Sequence, residues 1–459
     1  MTGCTHDSRR VRPGDLYAAL PGEHVHGAAF VDQARSAGAV AMLTDAEGAA
    51  ASVALPALVA QDPRAVLGHV ASWVHGNPSA GLTVLGITGT NGKTTTAFMV
   101  EAGLRGAGIP AALIGTIVTR IGDEVLPKTW ITNPEATDLH ALFAVMRERG
   151  VQAVAMEVSS HALALGRVDG VRFSSSVFTN LSQDHLEFHQ TMEAYFAAKA
   201  SLFTPARTRR GLVNADDAAG RRLLADPQVP LSSFGLREPA TWEAEDVELR
   251  ADGSSFTAVG PTSAAELTVQ LAGEFNISNA LAALAALVSV GIDPEAAARG
   301  ISALPGVPGR MERVDAGQPF TAIVDFAHTP EAVQSLLSVV RDVTRGRVIV
   351  VLGCGGDRDP GKRPLMGRAA VEAADVAVFT SDNPRSEDPL EILAQMGAGA
   401  AVVEPDRRAA ISWAVNQADP GDTVVVAGKG HESGQEVAGV VSPFDDRVVL
   451  RQALEELRG

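Results

Sequence analysis

The chain has 459 residues, 46% of them hydrophobic and 20% charged, a balance typical of a soluble globular protein of about three domains. Its formal net charge of −16 argues against a nucleic-acid partner, because nucleic-acid-binding proteins carry a clustered basic face. The longest apolar stretch, around 280–290, is shorter than the ~20 residues that a membrane helix needs, so we expect no membrane insertion.

The N-terminus and the cysteines predict the compartment. The first residues show no basic-then-apolar signal pattern, and the chain has two cysteines, Cys4 and Cys354. A chain of this size does not need a disulfide, so this low cysteine count favours a reducing compartment. We therefore expect a cytoplasmic protein.

Residues 1–80 are predicted to form a small N-terminal α/β domain. Apolar segments at 39–43 and 53–59 indicate short strands, and the turn-rich segment 76–81 indicates a linker. The segment 7–9 reads Asp-Ser-Arg. On its residues alone, this segment fits a turn with solvated charges as well as a binding loop.

The segment 82–96 predicts a phosphate-binding loop. An apolar run at 84–87 indicates a buried strand, a glycine-rich turn follows, and 94–105 indicates a helix that ends at Gly106. Backbone N–H groups at the helix start and the Lys93 ammonium would bind phosphate oxygens, and the Thr94 hydroxyl would face Mg²⁺. The predicted nucleotide contacts in this loop are Gly89, Thr90, Asn91, Gly92, Lys93, Thr94 and Thr95.

The loop departs from the strict nucleotide-binding pattern, which has glycine where this chain has Ile87. The alternative is a glycine- and threonine-rich turn without a ligand. A Gly-Lys-Thr-Thr run between a strand and a helix favours nucleotide binding, so we predict that the loop binds ATP or GTP.

The central domain, 81–308, is predicted to be a P-loop-type, mostly parallel sheet with helices. Apolar strands at 151–158 and 176–178 lead into polar clusters that contain Glu157 and His185. Ligands of such sheets bind at the carboxyl ends of the strands, so Thr94, Glu157 and His185 are expected along one edge. Oxygen ligands with one nitrogen suit a hard cation, and we predict Mg²⁺ there.

Two further polar residues of the central domain allow a simpler interpretation. Lys199 lies on a predicted helix among small and apolar neighbours, where a lysine usually extends its ammonium to water. Asn279 directly precedes an alanine-rich helix predicted at 280–289, where an asparagine can act as an N-cap.

The C-terminal domain, 309–459, follows a second linker at 305–309. Strands are predicted at 321–324, 348–352, 376–380 and 423–427, and a charged loop follows each one. Turning the chain does not require charge after every strand. We therefore predict a second, Rossmann-like doubly wound sheet with its own site, and an α/β fold overall.

Four segments together carry a family resemblance. They are 88–95 (TGTNGKTT), 157–161 (EVSSH), 325–330 (DFAHTP) and 353–359 (GCGGDRD). These segments resemble the Mur ligases of peptidoglycan synthesis, and the resemblance covers nearly the whole chain. The segment 382–385 (DNPR) is similar to the loop of the members that add meso-diaminopimelate, whereas lysine-adding relatives usually lack an arginine there.

The resemblance implies a function for each domain. It implies an ATP-dependent amide ligase that acts, with Mg²⁺, on UDP-MurNAc-L-Ala-D-Glu and meso-diaminopimelate through an acyl phosphate. We expect a monomer whose N-terminal domain binds the UDP moiety, whose central domain binds ATP and whose C-terminal domain binds the amino acid. The residues matching the UDP-substrate positions are Ser8, His26, Gly27, Thr132, Asn133, Ser159 and Arg167.

The resemblance also implies roles for residues at the two other sites. Lys93, Lys199 and His185 match catalytic positions, and Lys199 matches a lysine that is carbamylated to N6-carboxylysine. Further ATP positions are Asn276, Asn279, Arg310, Asp325 and His328. The residues matching the diaminopimelate site are Arg358, Asp382, Asn383, Pro384, Arg385, Gly428 and Glu432.

The sequence departs from the family pattern at three places. The chain starts almost at the Asp-Ser-Arg segment, which raises the question whether the first domain has its opening strand. A Thr-Asn-Pro run at 132–134 replaces the expected Thr-Thr-Pro, and the stretch 396–403 is shorter than usual.

Two ligases and one non-catalytic protein remain as alternatives. The ligases are a lysine-adding relative and a folylpolyglutamate-synthase-like enzyme. The third alternative is a nucleotide-binding switch protein, which would not need four charged loops in a separate domain.

Overall fold

The computed structural model describes residues 1–22, 24–52, 54–127, 132–250, 252–397 and 402–457. The first of its sheets is built by four parallel strands in the order β1-β2-β3-β4. The strands are β1 (Gly3–Thr5), β2 (Asp15–Ala18), β3 (Ala41–Thr44) and β4 (Ala57–Val59). The helices are α1 (Val31–Ser36), α2 (Ala46–Ala51) and α3 (Pro63–Val74).

Both faces of this small sheet are buried. Adjacent residues Leu16 and Tyr17 point to opposite faces, Leu16 into a cluster with α3 and Tyr17 into a cluster with α1. The two predicted strands are present in shorter form as β3 and β4, and residue 53 lies outside the described residues. An opening strand is present as well, since β1 pairs with β2.

The second sheet has eleven strands in the order β15-β14-β13-β12-β11-β10-β5-β9-β6-β7-β8. Its centre, from β12 to β6, is parallel, and antiparallel hairpins extend both edges. The strands are β5 (Thr83–Thr88), β6 (Ala111–Ile114), β7 (Thr119–Ile121), β8 (Glu124–Val125), β9 (Ala153–Glu157), β10 (Ser175–Phe178), β11 (Gly211–Asn214), β12 (Leu231–Gly235), β13 (Trp242–Arg250), β14 (Gly253–Val259) and β15 (Ala264–Val269).

Helices cover both faces of this sheet. Residues of α4, α10 and α11 pack on one face, and residues of α5, α6, α8 and α9 pack on the other. The helices are α4 (Lys93–Gly106), α5 (Ala136–Glu148), α6 (Ser160–Ala164), α7 (Leu186–His189), α8 (Met192–Ala200), α9 (Ala218–Ala225), α10 (Glu274–Ser289) and α11 (Pro294–Ser302).

Two predictions of helix ends are corrected here. Gly106 belongs to α4, and the left-handed residue that follows the helix is Gly108, with φ +73°. The helix predicted at 280–289 begins six residues earlier, at Glu274, so Asn279 lies inside it. The N-cap interpretation of Asn279 is therefore wrong.

The third sheet has six strands in the order β16-β17-β21-β18-β19-β20, and only β16 runs antiparallel to its neighbour in this sheet. Helices on both faces make it doubly wound, as predicted. The strands are β16 (Glu312–Arg313), β17 (Thr321–Asp325), β18 (Val348–Leu352), β19 (Val376–Phe379), β20 (Val402–Val403) and β21 (Thr423–Ala427), and a separate hairpin is formed by β22 (Gly434–Val437) and β23 (Val440–Pro443).

The helices of this third part follow its strands along the chain. They are α12 (Pro330–Val343), α13 (Arg363–Ala373), α14 (Pro389–Met396), α15 (Arg407–Gln417) and α16 (Asp446–Glu456). Five short 3-10 helices occur in the described parts of the chain, at Ser8–Arg10, Gly27–Phe30, Pro78–Gly81, Ser201–Phe203 and Pro360–Lys362. Residues 398–401, within the shortened stretch 396–403, lie outside the described residues.

None of the helices in the described parts of the chain is long and apolar enough to cross a membrane.

Candidate active site

The phosphate loop joins β5 to α4 and has two glycines in left-handed conformations. Gly89 has φ +145° and Gly92 has φ +85°, and a Cβ on Gly92 would lie 2.4 Å from Asn279 Oδ1. The Lys93 ammonium donates hydrogen bonds to the carbonyls of Gly89 at 2.9 Å and Thr90 at 2.8 Å. Enclosure of this ammonium lowers the pKa of Lys93.

Glu157, at the end of β9, is the centre of a hydrogen-bond network. The buried carboxylate accepts from Thr94 Oγ1 at 3.0 Å, from Thr116 N at 2.8 Å and from Thr116 Oγ1 at 3.1 Å. Arg310 Nη2 donates to Thr94 Oγ1 at 3.2 Å, and the hydroxyls of Thr116 and Thr132 are 3.0 Å apart. A hydroxyl and a carboxylate beside the phosphate loop form an oxygen donor set that suits Mg²⁺.

His185 has a left-handed backbone, with φ +56°. Its ring nitrogens lie 3.3 Å from Asp184 Oδ2 and 3.6 Å from Glu187 Oε1, and its ring contacts His161 edge-on. Of the predicted metal ligands, Thr94 and Glu157 are thus joined by a hydrogen bond, whereas His185 contacts two other carboxylates. Among the described residues, no group of three or more His, Cys, Asp and Glu side chains is arranged to hold a metal ion.

Lys199, on α8, is buried under the phosphate loop. The residue is 1% exposed, and its ammonium donates to the Gly89 carbonyl at 2.6 Å and lies 4.4 Å from the centre of the Tyr195 ring. Burial and the neighbouring Lys93 charge hold the pKa of Lys199 well below its usual range. The expectation of a lysine that reaches water is wrong.

A large cavity lies between the second and third sheets. Its volume is about 740 Å³, and it is lined by Gly92 and Asn276 from the second sheet's side and by Arg310 and Asp325 near the third. The Arg310 guanidinium stacks 4.5 Å from the centre of the Phe326 ring. A cavity that starts at the phosphate loop can accommodate a nucleotide.

The predicted ATP positions in and near this cavity are held by hydrogen bonds. Asp325 accepts from the backbone N–H of Met311 at 2.7 Å and of Ala327 at 2.8 Å, and burial raises its pKa. Asn276 donates to the Ala272 carbonyl at 2.8 Å. The contacts of Asn279 are Thr96 Oγ1 and Asn276 Oδ1, both at 3.3 Å, and His328 Nδ1 lies 2.7 Å from the Phe326 carbonyl.

Asp184 joins the two sheets and was not predicted as a site residue. Lys362 Nζ donates to its Oδ1 at 3.1 Å, and His328 Nε2 lies 3.6 Å from its Oδ2. Burial would raise the pKa of this carboxyl, but His328, Lys362 and His185 outweigh burial and hold the pKa well below its usual range.

The predicted UDP positions of the first domain lie around 3-10 helices. Ser8 Oγ donates to Gln33 Oε1 at 2.9 Å. His26 caps the turn that begins at Gly27, and its Nε2 lies 3.1 Å from Asp45 Oδ1. A Cβ on Gly27 would lie 2.8 Å from the backbone N of Leu20, so only glycine fits there.

The predicted substrate positions of the central sheet form a second group. Asn133 donates to the Glu157 carbonyl at 2.6 Å and accepts from both Ser159 N and Ser159 Oγ at 3.0 Å. The Arg167 Nε donates to Glu135 at 2.8 Å, and Arg64 reaches the other oxygen of that carboxylate at 3.5 Å. These contacts connect the predicted substrate positions with the end of β9 and with α3.

The predicted acceptor residues meet at the carboxyl edge of the third sheet. Asn383 donates to Glu432 Oε2 at 2.7 Å, and the fully buried Lys429 ammonium donates to both side chains at 2.9 Å. A Cβ on Gly428 would lie 2.7 Å from Asp382 Oδ2, so the two loops are in close contact.

Arg385 has a left-handed backbone, with φ +53°, and follows Pro384 in the same loop. Its Nη1 donates to the Gly356 carbonyl at 2.6 Å, and its Nε lies 3.6 Å from Glu436 Oε2. Arg358 is exposed and donates to the Asp357 carbonyl at 3.0 Å. The guanidinium of Arg385 therefore lies at the rim of the acceptor loops, the loops after β18, β19 and β21 that contain the predicted diaminopimelate residues. The Glu436 carboxylate is nearby.

Lysine scarcity is a signal that would have identified Lys362 and Lys429 from the sequence. The chain has 33 arginines and five lysines. Lys93, Lys199, Lys362 and Lys429 all lie at the sites described above, and the fifth, at position 128, is outside the described residues. A chain that otherwise uses arginine keeps lysine where a compact ammonium is needed.

Comparisons with known proteins agree with this geometry. Three family models match the chain: "Mur ligase family, catalytic domain" over residues 1–74, "Mur ligase middle domain" over 87–287 and "Mur ligase, glutamate ligase domain" over 309–430. Proteins of Streptomyces avermitilis and Streptomyces coelicolor are each 58% identical, with 100% of this chain and 93% of theirs covered. Both carry the name UDP-N-acetylmuramoyl-L-alanyl-D-glutamate–2,6-diaminopimelate ligase.

A solved structure of a protein with the same name superposes with a TM-score of 0.71 at 33% identity, covering 100% of this chain and 96% of the other. Fold and site thus define an α/β ligase whose phosphate loop borders a cavity that Arg310 and Asp325 also line. The chain belongs to the Mur ligase family, and it is an ATP-dependent enzyme that forms amide bonds.

Proposed function

We propose that this ligase adds meso-diaminopimelate to the D-glutamyl γ-carboxylate of UDP-MurNAc-L-Ala-D-Glu. The observation that carries the proposal is the identity of 58%, over the whole chain, to proteins named for this reaction. The Arg385 loop supports the choice of acceptor, because its guanidinium lies at the edge of the third sheet beside polar loops.

Each domain has a separate part in this proposal. Residues 1–80 bind the UDP moiety, residues 81–308 bind ATP, and residues 309–459 bind the amino acid. The cavity of about 740 Å³ between the second and third sheets supports the nucleotide assignment, because it contacts both the phosphate loop and Arg310.

The reaction has two steps. The γ-carboxylate oxygen attacks the terminal phosphorus of ATP, and ADP leaves as its bond to that phosphorus breaks and the acyl phosphate forms. The acceptor amine, after losing a proton, then attacks the acyl carbon, and inorganic phosphate leaves as the amide forms. Such transfers depend on alignment and on neutralising phosphate charge, and Lys93 and the N-terminus of α4 would supply this neutralisation.

Mg²⁺ suits the oxygen donors beside the phosphate loop. Thr94, Glu157 and His185 would hold the ion, which would supply further neutralisation of phosphate charge. Lys199 is proposed to be carbamylated. Burial and a lowered pKa support this proposal, since the neutral amine is the form that reacts with CO₂.

We further propose that the enzyme acts as a monomer in the cytoplasm. Cys4 and Cys354 are both free and buried, which fits a reducing compartment.

Acceptor-dependent phosphate release tests the proposed reaction. Purified protein is incubated with ATP, Mg²⁺ and UDP-MurNAc-L-Ala-D-Glu, with meso-diaminopimelate, lysine or no acceptor. We expect phosphate release only with diaminopimelate, together with a product whose mass equals both substrates less one water. Release without any acceptor would favour the switch protein, and equal release with lysine would favour the lysine-adding alternative.

A further inference from the structure

A fully buried ion pair lies beneath the acceptor loops. Arg407 begins α15 and Asp446 begins α16, and both side chains are 0% exposed. Arg407 donates from Nε to Asp446 Oδ1 at 2.8 Å and from Nη2 to Oδ2 at 2.7 Å. This bidentate geometry holds the guanidinium in one orientation.

The remaining donors of Arg407 bind the backbone of both acceptor loops. Nη2 donates to the Ala427 carbonyl at 2.9 Å and Nη1 to the Ser381 carbonyl at 3.3 Å. Ala427 immediately precedes Gly428, and Ser381 immediately precedes Asp382. The guanidinium therefore links the two loops in which the predicted acceptor residues lie.

These loops follow strands that are not neighbours. The sheet order is β17-β21-β18-β19, so β18 separates β21 from β19. The backbone ladder links β21 and β19 to each other only through β18. Arg407 adds a direct connection at their carboxyl ends, where a small shift would change the distance between Gly428 and Asp382.

The charge of the pair also matters for the acceptor. Burial would lower the pKa of Arg407, but Asp446, Asp382 and Glu432 outweigh burial and raise it, so the guanidinium stays charged. Asp446 neutralises Arg407, which leaves Asp382 available to an ammonium group, whereas Glu432 already accepts from Lys429 and Asn383. Buried ion pairs contribute little net stability compared with well-packed apolar residues, so stability alone gives no reason for this one.

We propose that Arg407, held by Asp446, is a positioning residue of the acceptor site that sets the separation of the Asp382 and Gly428 loops. The proposal rests on the function assigned above to this edge of the third sheet. Arg407 touches no substrate in this scheme and acts through the two loops. Its loss should therefore affect the acceptor and leave the other two substrates unchanged.

The test is a steady-state comparison of Arg407→Met/Asp446→Leu with the parent enzyme. The double substitution removes both charges, so no unpaired buried charge is left. We expect KM for meso-diaminopimelate to rise about tenfold or more, because misplacement on the ångström scale is costly at a reacting centre. KM values for ATP and for the UDP substrate should stay within about twofold of the parent's values. A twofold change corresponds to a few tenths of a kcal/mol in binding free energy.

The matched control is Arg347→Met at the opposite edge of the third sheet. Arg347 pairs with the buried Asp422, 2.8 Å away, where β18 and β21 begin. This variant should lower the melting temperature without changing any KM. Arg407→Lys is the second variant, since it keeps the charge but not the geometry that reaches both carbonyls, and its KM for diaminopimelate should also rise.

Three outcomes would overturn the proposal. They are an unchanged KM for diaminopimelate in the folded double variant, an equal rise of all three KM values, and, if the double variant does not fold, parental kinetics in Arg407→Lys. A parent enzyme without diaminopimelate-dependent phosphate release would instead contradict the assigned function, so the two failures are distinguishable.

Discussion

The Lys362 ammonium and the Asp184 carboxylate are 3.1 Å apart and join two segments separated by 178 residues. Both side chains are buried, at 7% and 6% exposure. Asp184 adjoins His185 on the nucleotide side, and Lys362 follows the 353–359 loop on the acceptor side. Gln183 and Asp359 form a second bond across the same boundary, at 2.9 Å. These contacts connect the loop that follows β10 with the segment that follows β18.

Lys362→Met should lower kcat for ligation by about tenfold or more, because the acceptor edge would no longer be aligned with the acyl phosphate. Binding of ATP alone should change little. Lys362→Arg should not restore the ligation rate, since the larger planar guanidinium does not fit a buried site that accommodates an ammonium group. Single-turnover kinetics would check this, and a rate in Lys362→Met close to the parent's would contradict it.

Lys93→Ala and Glu157→Ala should each abolish detectable ligation while leaving the fold intact. Removal of Lys93 takes away a cation at the phosphates, and loss of a single electrostatic donor elsewhere costs ~10²–10³ in rate. Glu157 binds Thr94 and Thr116, so its loss disorganises the proposed Mg²⁺ ligands. Phosphate release and circular dichroism are measured together, and near-normal turnover by folded Lys93→Ala would refute the assignment of the loop.

Lys199 should carry a carbamate in the active enzyme. Its pKa is lowered by burial and by Lys93, so a larger neutral fraction is available to CO₂ than in an exposed lysine. Carbon NMR with ¹³C-labelled bicarbonate should show one carbamate signal that is lost in Lys199→Ala. Lys362→Met should retain the signal and serves as the control. A spectrum with only free amine in active enzyme would rule the modification out.

Much of the fold follows from local sequence. The strands at Val348–Leu352 and Thr423–Ala427 were predicted to the residue, because uninterrupted apolar runs bounded by glycine or charge mark buried parallel strands. The hairpin strand Trp242–Arg250 was missed, since it is rich in charge and largely exposed. Its partners, not its own pattern, make it a strand.

The site was less predictable, because its contacts are long-range. The loop residues from Gly89 to Thr95 were recognised through local spacing. Packing of helices against sheets determines the burial of Lys199 and the ion pairs Lys362–Asp184 and Arg407–Asp446. No local sequence pattern encodes this packing. Lysine scarcity points to Lys199 and Lys362, and the family resemblance also points to Lys199, but neither signal identifies the residues that these lysines contact.

His140 makes the stability of the protein sensitive to acid. The ring is fully buried, its Nε2 lies 2.9 Å from the Asp169 carbonyl, and burial lowers its pKa from 6.5 to about 4. The unfolded chain therefore binds a proton between pH 6.5 and 4 that the folded chain excludes. Stability from this group is complete above pH 6.5 and is lost as the pH falls toward 4.

Chemical denaturation at pH 7.5 and pH 5.0 measures this effect. Between pH 7.5 and pH 5.0, the free energy of unfolding should fall less in His140→Asn than in the parent. The difference between the two decreases should be on the order of 2 kcal/mol. His24→Asn, at an exposed histidine, should behave like the parent. An identical pH dependence in all three proteins would show that His140 titrates normally.

Arg385→Ala should raise KM for meso-diaminopimelate strongly and leave KM for ATP and for the UDP substrate nearly unchanged. The guanidinium is fixed by the Gly356 carbonyl, and a fork of N–H groups can bind the distal carboxylate of diaminopimelate bidentately. The control is Arg408→Ala, since Arg408 is bonded to Gln452 on the surface. This variant should keep the parent's KM for all three substrates. Parental use of diaminopimelate by Arg385→Ala would contradict this role.

The identity of the acceptor is tested most directly by competition. The purified enzyme is given ATP, Mg²⁺, UDP-MurNAc-L-Ala-D-Glu and equal concentrations of meso-diaminopimelate and lysine, and the products are resolved by mass spectrometry. Sites built around a polar group commonly reject analogues without it by ~10⁴ or more, so the diaminopimelate product should be the only one detected. A mixture with comparable amounts of the lysine product, or the lysine product alone, would contradict the assignment of this protein as a diaminopimelate-adding ligase.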